Sequence, residues 1–206
     1  MKYLKTFERF NKVAFHGYLM DPEDMELPEC EIEWHPGKSE GCPNFSDEQK
    51  ITQDDEKLAI EYLNQKDIDT LIAYSRGGAI LMQSVAKGAA IPKMLYMVAP
   101  AWLRGWSTIN IKGDEVKGSK GYIIHGGKDD KVPLKHSVIL SKMSGLPLYV
   151  FPEINHISIL KHKDNISGGI EVKNIDKLLE ILPDWGKGNS TPEEVDKQYK
   201  ISLEIK

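Results

Sequence analysis

Thr70-Leu71-Ile72-Ala73-Tyr74-Ser75-Arg76-Gly77-Gly78-Ala79-Ile80-Leu81-Met82 is the stretch on which the reading of this chain turns. Thr70 to Tyr74 is an apolar run of strand length, and Ala79 to Lys87 reads as a helix closed by Gly88. Between them stands Ser75, with small residues two positions before it (Ala73) and two after it (Gly77), followed by Gly78. A direct passage from strand to helix forces the corner residue into strained backbone. Bulk two positions to either side would then collide with neighbouring main chain. The helix N-terminus beneath such a corner also favours developing negative charge.

The same alternation continues outward. Val13-Ala14-Phe15-His16, Glu31-Ile32-Glu33-Trp34-His35, Met94 to Val98, Gly121 to His125 and Leu148 to Phe151 all read as strands. Gly37 to Ser46 is loop-like, and the helix after it carries Leu58, Ile60, Tyr62 and Leu63 on one face up to about Gln65. Further helices are expected from Leu134 to Met143 and from Lys173 to Leu182, the last stopped by Pro183. Near-continuous apolar strands separated by helices imply a parallel sheet covered on both faces, with right-handed crossovers. The expected fold class is α/β, a three-layer α/β/α sandwich around a mainly parallel sheet of about six strands. One domain is expected over residues 1–182, with a C-terminal extension over 183–206. The ending Ile201-Ser202-Leu203-Glu204-Ile205-Lys206 alternates like an edge strand or a partner contact.

Composition narrows the classes. The chain has 206 residues, ordinary for one domain, and a net charge of −4, which speaks against a nucleic-acid partner. No apolar run approaches the ~20 residues of a membrane helix, and the charged start Met1 to Phe10 does not read as a signal peptide. A cytoplasmic location follows as the expectation. Cys30 and Cys42 are then most simply two reduced thiols, with a single disulfide as the alternative. No CxxC pair and no HExxH helix occurs, so no zinc site is expected.

A serine hydroxyl becomes a useful nucleophile only beside a base, a group that orients the base, and donors for the developing oxyanion. Ala73-Tyr74-Ser75-Arg76-Gly77 resembles the G-x-S-x-G elbow of the α/β-hydrolase superfamily, with Ala in place of the first Gly. His125-Gly126-Gly127-Lys128-Asp129-Asp130-Lys131-Val132-Pro133 resembles that family's acid loop, and Phe151 to His156 the segment that carries its catalytic histidine, with Asn155 where Gly is common. His16-Gly17-Tyr18 resembles its oxyanion loop. The resemblance covers roughly residues 11 to 182. It implies Ser75 as nucleophile, His156 as base and Asp129 as acid, with Asp130 as the adjacent alternative. It also implies the backbone N–H groups of Tyr18 and Arg76 as oxyanion donors.

Each residue also has a plainer reading. Ser75 would serve as a helix N-cap, Asp129 as a solvated turn residue and His156 as a surface histidine. His16 reads as a structural support of its loop, while His35, His136 and His162 follow no pattern. The Arg76 side chain points either toward the site or into helix packing. Trp102, Leu103 and Trp106, in the unperiodic stretch after the fourth strand, either line an acyl pocket or pack on the sheet. The implied activity is hydrolysis of a carboxylic ester or thioester of a small acyl substrate, by way of an acyl-enzyme, and it needs no cofactor. The alternatives are an amidase or peptidase on the same fold, or a non-catalytic binding module.

Overall fold

The computed structural model describes residues 12–20, 25, 43, 45–65, 68–103, 109–163, 165–183 and 190–205. The strand expected over Glu31 to His35 lies outside them, as do Cys30, Cys42 and Trp106. The described chain is α/β. Its sheet has six strands in sequential order: β1 (Lys12–Phe15), β2 (Thr70–Tyr74), β3 (Met94–Val98), β4 (Lys120–Gly126), β5 (Leu148–Phe151) and β6 (Ile170–Glu171). The first five pair in parallel, and the two-residue β6 closes the edge antiparallel to β5. Five helices accompany them: α1 (Gln53–Gln65), α2 (Arg76–Ala86), α3 (Leu134–Ser144), α4 (Ile175–Ile181) and α5 (Pro192–Leu203).

The period-two alternation of the strands sorts their side chains into two cores. The register row Phe15, Ala73, Met97, Ile123, Leu148 belongs to the larger, which also takes in residues of α1 to α4. The row Ala14, Ile72, Tyr96, Tyr122 belongs to the other, covered by Met25 and by Ile159 and Leu160 of a short 3-10 turn, Ser158–His162. Both faces of the sheet are therefore covered, as near-continuous apolar strands require, and the layers fit an α/β/α sandwich. Tyr96 and Tyr122 stack on this second face with ring centroids 4.4 Å apart.

Two close approaches explain glycines at the strands. Gly121, the second residue of β4, has φ 122°, and a Cβ there would collide with the Leu95 carbonyl of β3. A Cβ at Gly77 would collide with the Phe15 carbonyl at the end of β1, so α2 is seated directly against that strand. α2 is buried from Arg76 to Val85. That suits a helix apolar on nearly every side.

The chain end departs from expectation. Residues Pro192–Leu203 form a helix, not a strand. Pro192 opens it. Thr191 Oγ1 accepts from the Glu194 amide at 3.2 Å while Glu194 Oε2 accepts from the Thr191 amide at 2.7 Å, a complete capping box. Ile201 in the last turn of the helix packs against the main core, and Ile205, just past the helix end, is buried in that core. The alternation at 201–205 was a coincidence of composition; the cap and the core contacts decide for the helix. Thr191→Ala is expected to lower stability by about 1 kcal/mol, read as a lower denaturant midpoint at constant slope. An unchanged midpoint would mean that the cap does not hold α5.

Candidate active site

Ser75 sits where β2 passes into α2, at φ 50° and ψ −118°. A non-glycine residue at positive φ stores about 1–3 kcal/mol and persists only when its surroundings enforce it. Here they do. The Ser75 amide donates to the Val98 carbonyl (3.0 Å), and the Ser75 carbonyl accepts from the amides of Gly78 (3.0 Å) and Ala101 (2.9 Å). Gly78 packs against Pro100, where a Cβ would come within 2.7 Å. The Ser75 side chain makes no capping hydrogen bond to its helix. Its hydroxyl meets His156 Nε2 at 3.0 Å instead.

His156 follows β5, in the turn before the 3-10 segment. Its Nδ1 lies 2.7 Å from Asp129 Oδ2. A carboxylate only accepts, so Nδ1 carries the proton and Nε2 is left to accept from the Ser75 hydroxyl. The Tyr74 ring stacks on the imidazole, centroids 5.1 Å apart, and the Tyr74 hydroxyl donates to the His156 carbonyl at 3.0 Å. Burial, then the nearby charges of Asp129 and Asp130, push the Tyr74 phenol above its ordinary range, so it remains a neutral donor.

Asp129 is fully buried in the loop between β4 and α3. Burial pushes its carboxyl up, but the adjacent imidazoles of His156 and His125 and the Val132 amide outweigh that and hold it below the usual carboxylate range. Its Oδ1 accepts from the amides of Lys131 (2.9 Å) and Val132 (2.8 Å). Neighbouring Asp130 is exposed and pairs with Lys131 at 3.1 Å. The hydrogen-bonded chain therefore runs Ser75, His156, Asp129. The choice between adjacent aspartates is made by the loop's backbone, which turns one carboxylate inward.

Two further histidines are buried near this loop in sequence, one beside Asp129 and one against Trp102. His125 Nε2 donates to the Val132 carbonyl at 3.0 Å and lies 3.3 Å from Asp129 Oδ2, and its Nδ1 accepts from the Ser137 hydroxyl at 2.7 Å. Burial pushes this imidazole below its ordinary value. His136, buried and pushed down to about 3 by that burial, accepts the Trp102 amide at Nδ1 (3.2 Å) and the Trp102 indole N–H at its carbonyl (2.9 Å). His125 stood at the head of the segment that resembles the acid loop, whereas sequence pattern offered no sign of the His136 role, which depends on a partner 34 residues away.

The remaining expected residues fall as follows. His16 supports its loop: Nδ1 donates to the Gly17 carbonyl (2.9 Å) and Nε2 accepts from the Phe45 amide (3.1 Å). Tyr18 lies in the turn that follows, and Arg76 is the first residue of α2, where backbone N–H groups have no intrahelical acceptor. The Arg76 side chain is turned away into packing. It is fully buried, and Nη2 pairs with Asp55 of α1 at 2.5 Å. Asp55 also accepts from Ser46 and from the Thr52 amide. Trp102 is buried in the main core and Leu103 packs against it.

The described surface has a cleft of about 610 Å³, but it lies between the acid loop and α5. Lys128, Asp130, Lys131 and Tyr199 line it, while Ser75, Asp129 and His156 do not. Both lysines are engaged with carboxylates, Lys128 with Glu153 and Lys131 with Asp130. Among the described residues, no group of three or more His, Cys, Asp or Glu side chains is placed to hold a metal ion, and no helix is long and apolar enough to cross a membrane. Compared with protein-family models, with curated proteins and with solved structures, the chain matches none of them.

Burial raises the Asp55 carboxyl, but hydrogen bonds from Thr52 and Ser46 more than reverse this and leave it below its ordinary 3.8. A depressed folded value stabilises the fold above the unfolded value and loses that contribution as pH falls through the folded one. Asp55→Asn is therefore expected to cost about 3–5 kcal/mol near neutrality, where it leaves Arg76 as an uncompensated buried charge. The gap to wild type should close below the ordinary carboxylate value of 3.8. Denaturant titrations at several pH values check this; a gap independent of pH would contradict it.

Proposed function

We propose that this protein is a serine hydrolase of the α/β-hydrolase kind, cleaving a carboxylic ester or thioester of a small acyl substrate. The observation that carries the reading is the unbroken chain Ser75 Oγ to His156 Nε2 (3.0 Å) and His156 Nδ1 to Asp129 Oδ2 (2.7 Å), built on a strained strand-to-helix corner.

In this reading Ser75 Oγ attacks the acyl carbon while His156 Nε2 takes its proton. The carbonyl electron pair moves to oxygen, beside the amides of Arg76 and Tyr18. Collapse expels the alcohol or thiol, which leaves with the proton from His156. Water, deprotonated by the same nitrogen, then attacks the acyl-serine and frees the acid and Ser75. Asp129 holds the imidazole in its Nδ1–H tautomer and stabilises the imidazolium. The start of α2 beneath Ser75 adds a favourable dipole for the oxyanion. A non-catalytic binding module would have gained weight from side chains out of hydrogen-bonding reach; the two distances count against it.

A fluorophosphonate probe should label the wild type and not Ser75→Ala. With acyl esters of graded chain length, Ser75→Ala should lose nearly all turnover and Asp129→Asn should lower kcat about 10³–10⁴-fold. Asp130→Asn, which removes only an exposed pair, should remain within about twofold of wild type. A folded wild type that neither takes the label nor hydrolyses any ester would sink the reading.

A further inference from the structure

The acid loop between β4 and α3 aims the Asp129 carboxylate at His156, but its outer edge presents buried backbone carbonyls that need donors. Gln198 of α5 meets that need. It is 1% exposed, and its Nε2 donates to the carbonyls of Gly127 (3.1 Å) and Asp129 (3.3 Å). Its Oε1 accepts from the amide of Leu134 at 2.7 Å. Leu134 is the first residue of α3, so that amide has no intrahelical partner of its own. One side-chain amide thus grips the entry of the loop, the acid residue itself and the exit.

The contact around it is close. A Cβ at Gly127 would collide with Ser202 Oγ, so α5 lies on the loop backbone where only glycine leaves room. Ser190 Oγ donates to the Asp130 carbonyl at 2.7 Å, a second tie one residue beyond the acid. Ile201 on the helix and Ile205 just past its end pack into the main core beside it.

We infer that Gln198 is a positioning residue for Asp129, and that the C-terminal helix is a working part of the site rather than an appendage. The inference rests on the hydrolase reading for its kinetic consequence, but its structural half, the orientation of the Asp129–His156 pair, does not require turnover. Gln198 acts only through Asp129. Its amide has both the donor and the acceptor that the loop uses; methionine has similar bulk and neither.

The test uses the full chain with Gln198→Met and Gln198→Ala; the first keeps the volume and the helix if the second fails to fold. The His156 Nδ1 proton is observed by NMR without substrate, beside far-ultraviolet dichroism to establish folding. Folded variants are expected to lose or shift that proton signal. They should also lower kcat on acyl esters about 10²-fold with KM unchanged, the scale of an ångström of misplacement. In an Asp129→Ala background the same substitutions should cost little more, since the group they position is gone. Folded variants with the wild-type proton signal, or an equal loss of kcat in both backgrounds, would overturn the inference. A wild type that shows the proton signal but hydrolyses nothing would overturn the hydrolase reading while leaving the positioning result to stand on the spectrum.

Discussion

At Ser75 the chain changes from strand to helix within a single residue, and much of the molecule is arranged to make that possible. The corner needs a backbone conformation that side chains resist, so it has to be enforced from outside. β3 supplies the Val98 carbonyl, and the turn after β3 supplies the Ala101 amide. Gly77 lets α2 rest on the end of β1, and Gly78 lets it rest on Pro100. The Arg76–Asp55 pair ties the first turn of α2 to α1. Close-packed interiors transmit strain instead of dissipating it. The corner can therefore hold its hydroxyl in one place, which is what a positioned nucleophile requires.

The electrostatics follow a related logic. A fully buried aspartate is costly unless several donors face it, and Asp129 has the Lys131 and Val132 amides and the Nδ1–H of His156, with the His125 imidazole 3.3 Å away. Every one of these comes from its own loop, from the strand before that loop or from the turn after β5. Those segments meet at one edge because parallel strands all end there. The sheet topology thus brings together groups that lie far apart in the chain, with 81 residues separating Ser75 from His156.

Much of the fold was legible because it is written in local periodicity. The apolar runs at Thr70–Tyr74, Met94–Val98 and Leu148–Phe151 are buried strands, and α1 and α3 fall close to their expected bounds. α2 begins at Arg76, ahead of the expected Ala79, because Gly77 and Gly78 serve close packing there instead of breaking the helix. The chain end was misread. Thr191-Pro192-Glu193-Glu194 carries a capping box and a proline suited to a first turn, signals that favoured a helix over the period-two alternation that follows.

By itself the sequence determined the α/β alternation and the small residues at the Ser75 corner, since each is a matter of residue type and short spacing, while Asp129 and His156 were expected from the resemblance alone. Only the tertiary structure decided that Asp129 and not Asp130 turns inward. It also decided that Arg76 is spent on an ion pair with Asp55, that Trp102 belongs to the core, and that Gln198 reaches back to the acid loop. The physical reason is the same in each case. A side chain's partner is set by which distant backbone groups are buried beside it without a donor or acceptor of their own, and no short stretch of sequence contains that information.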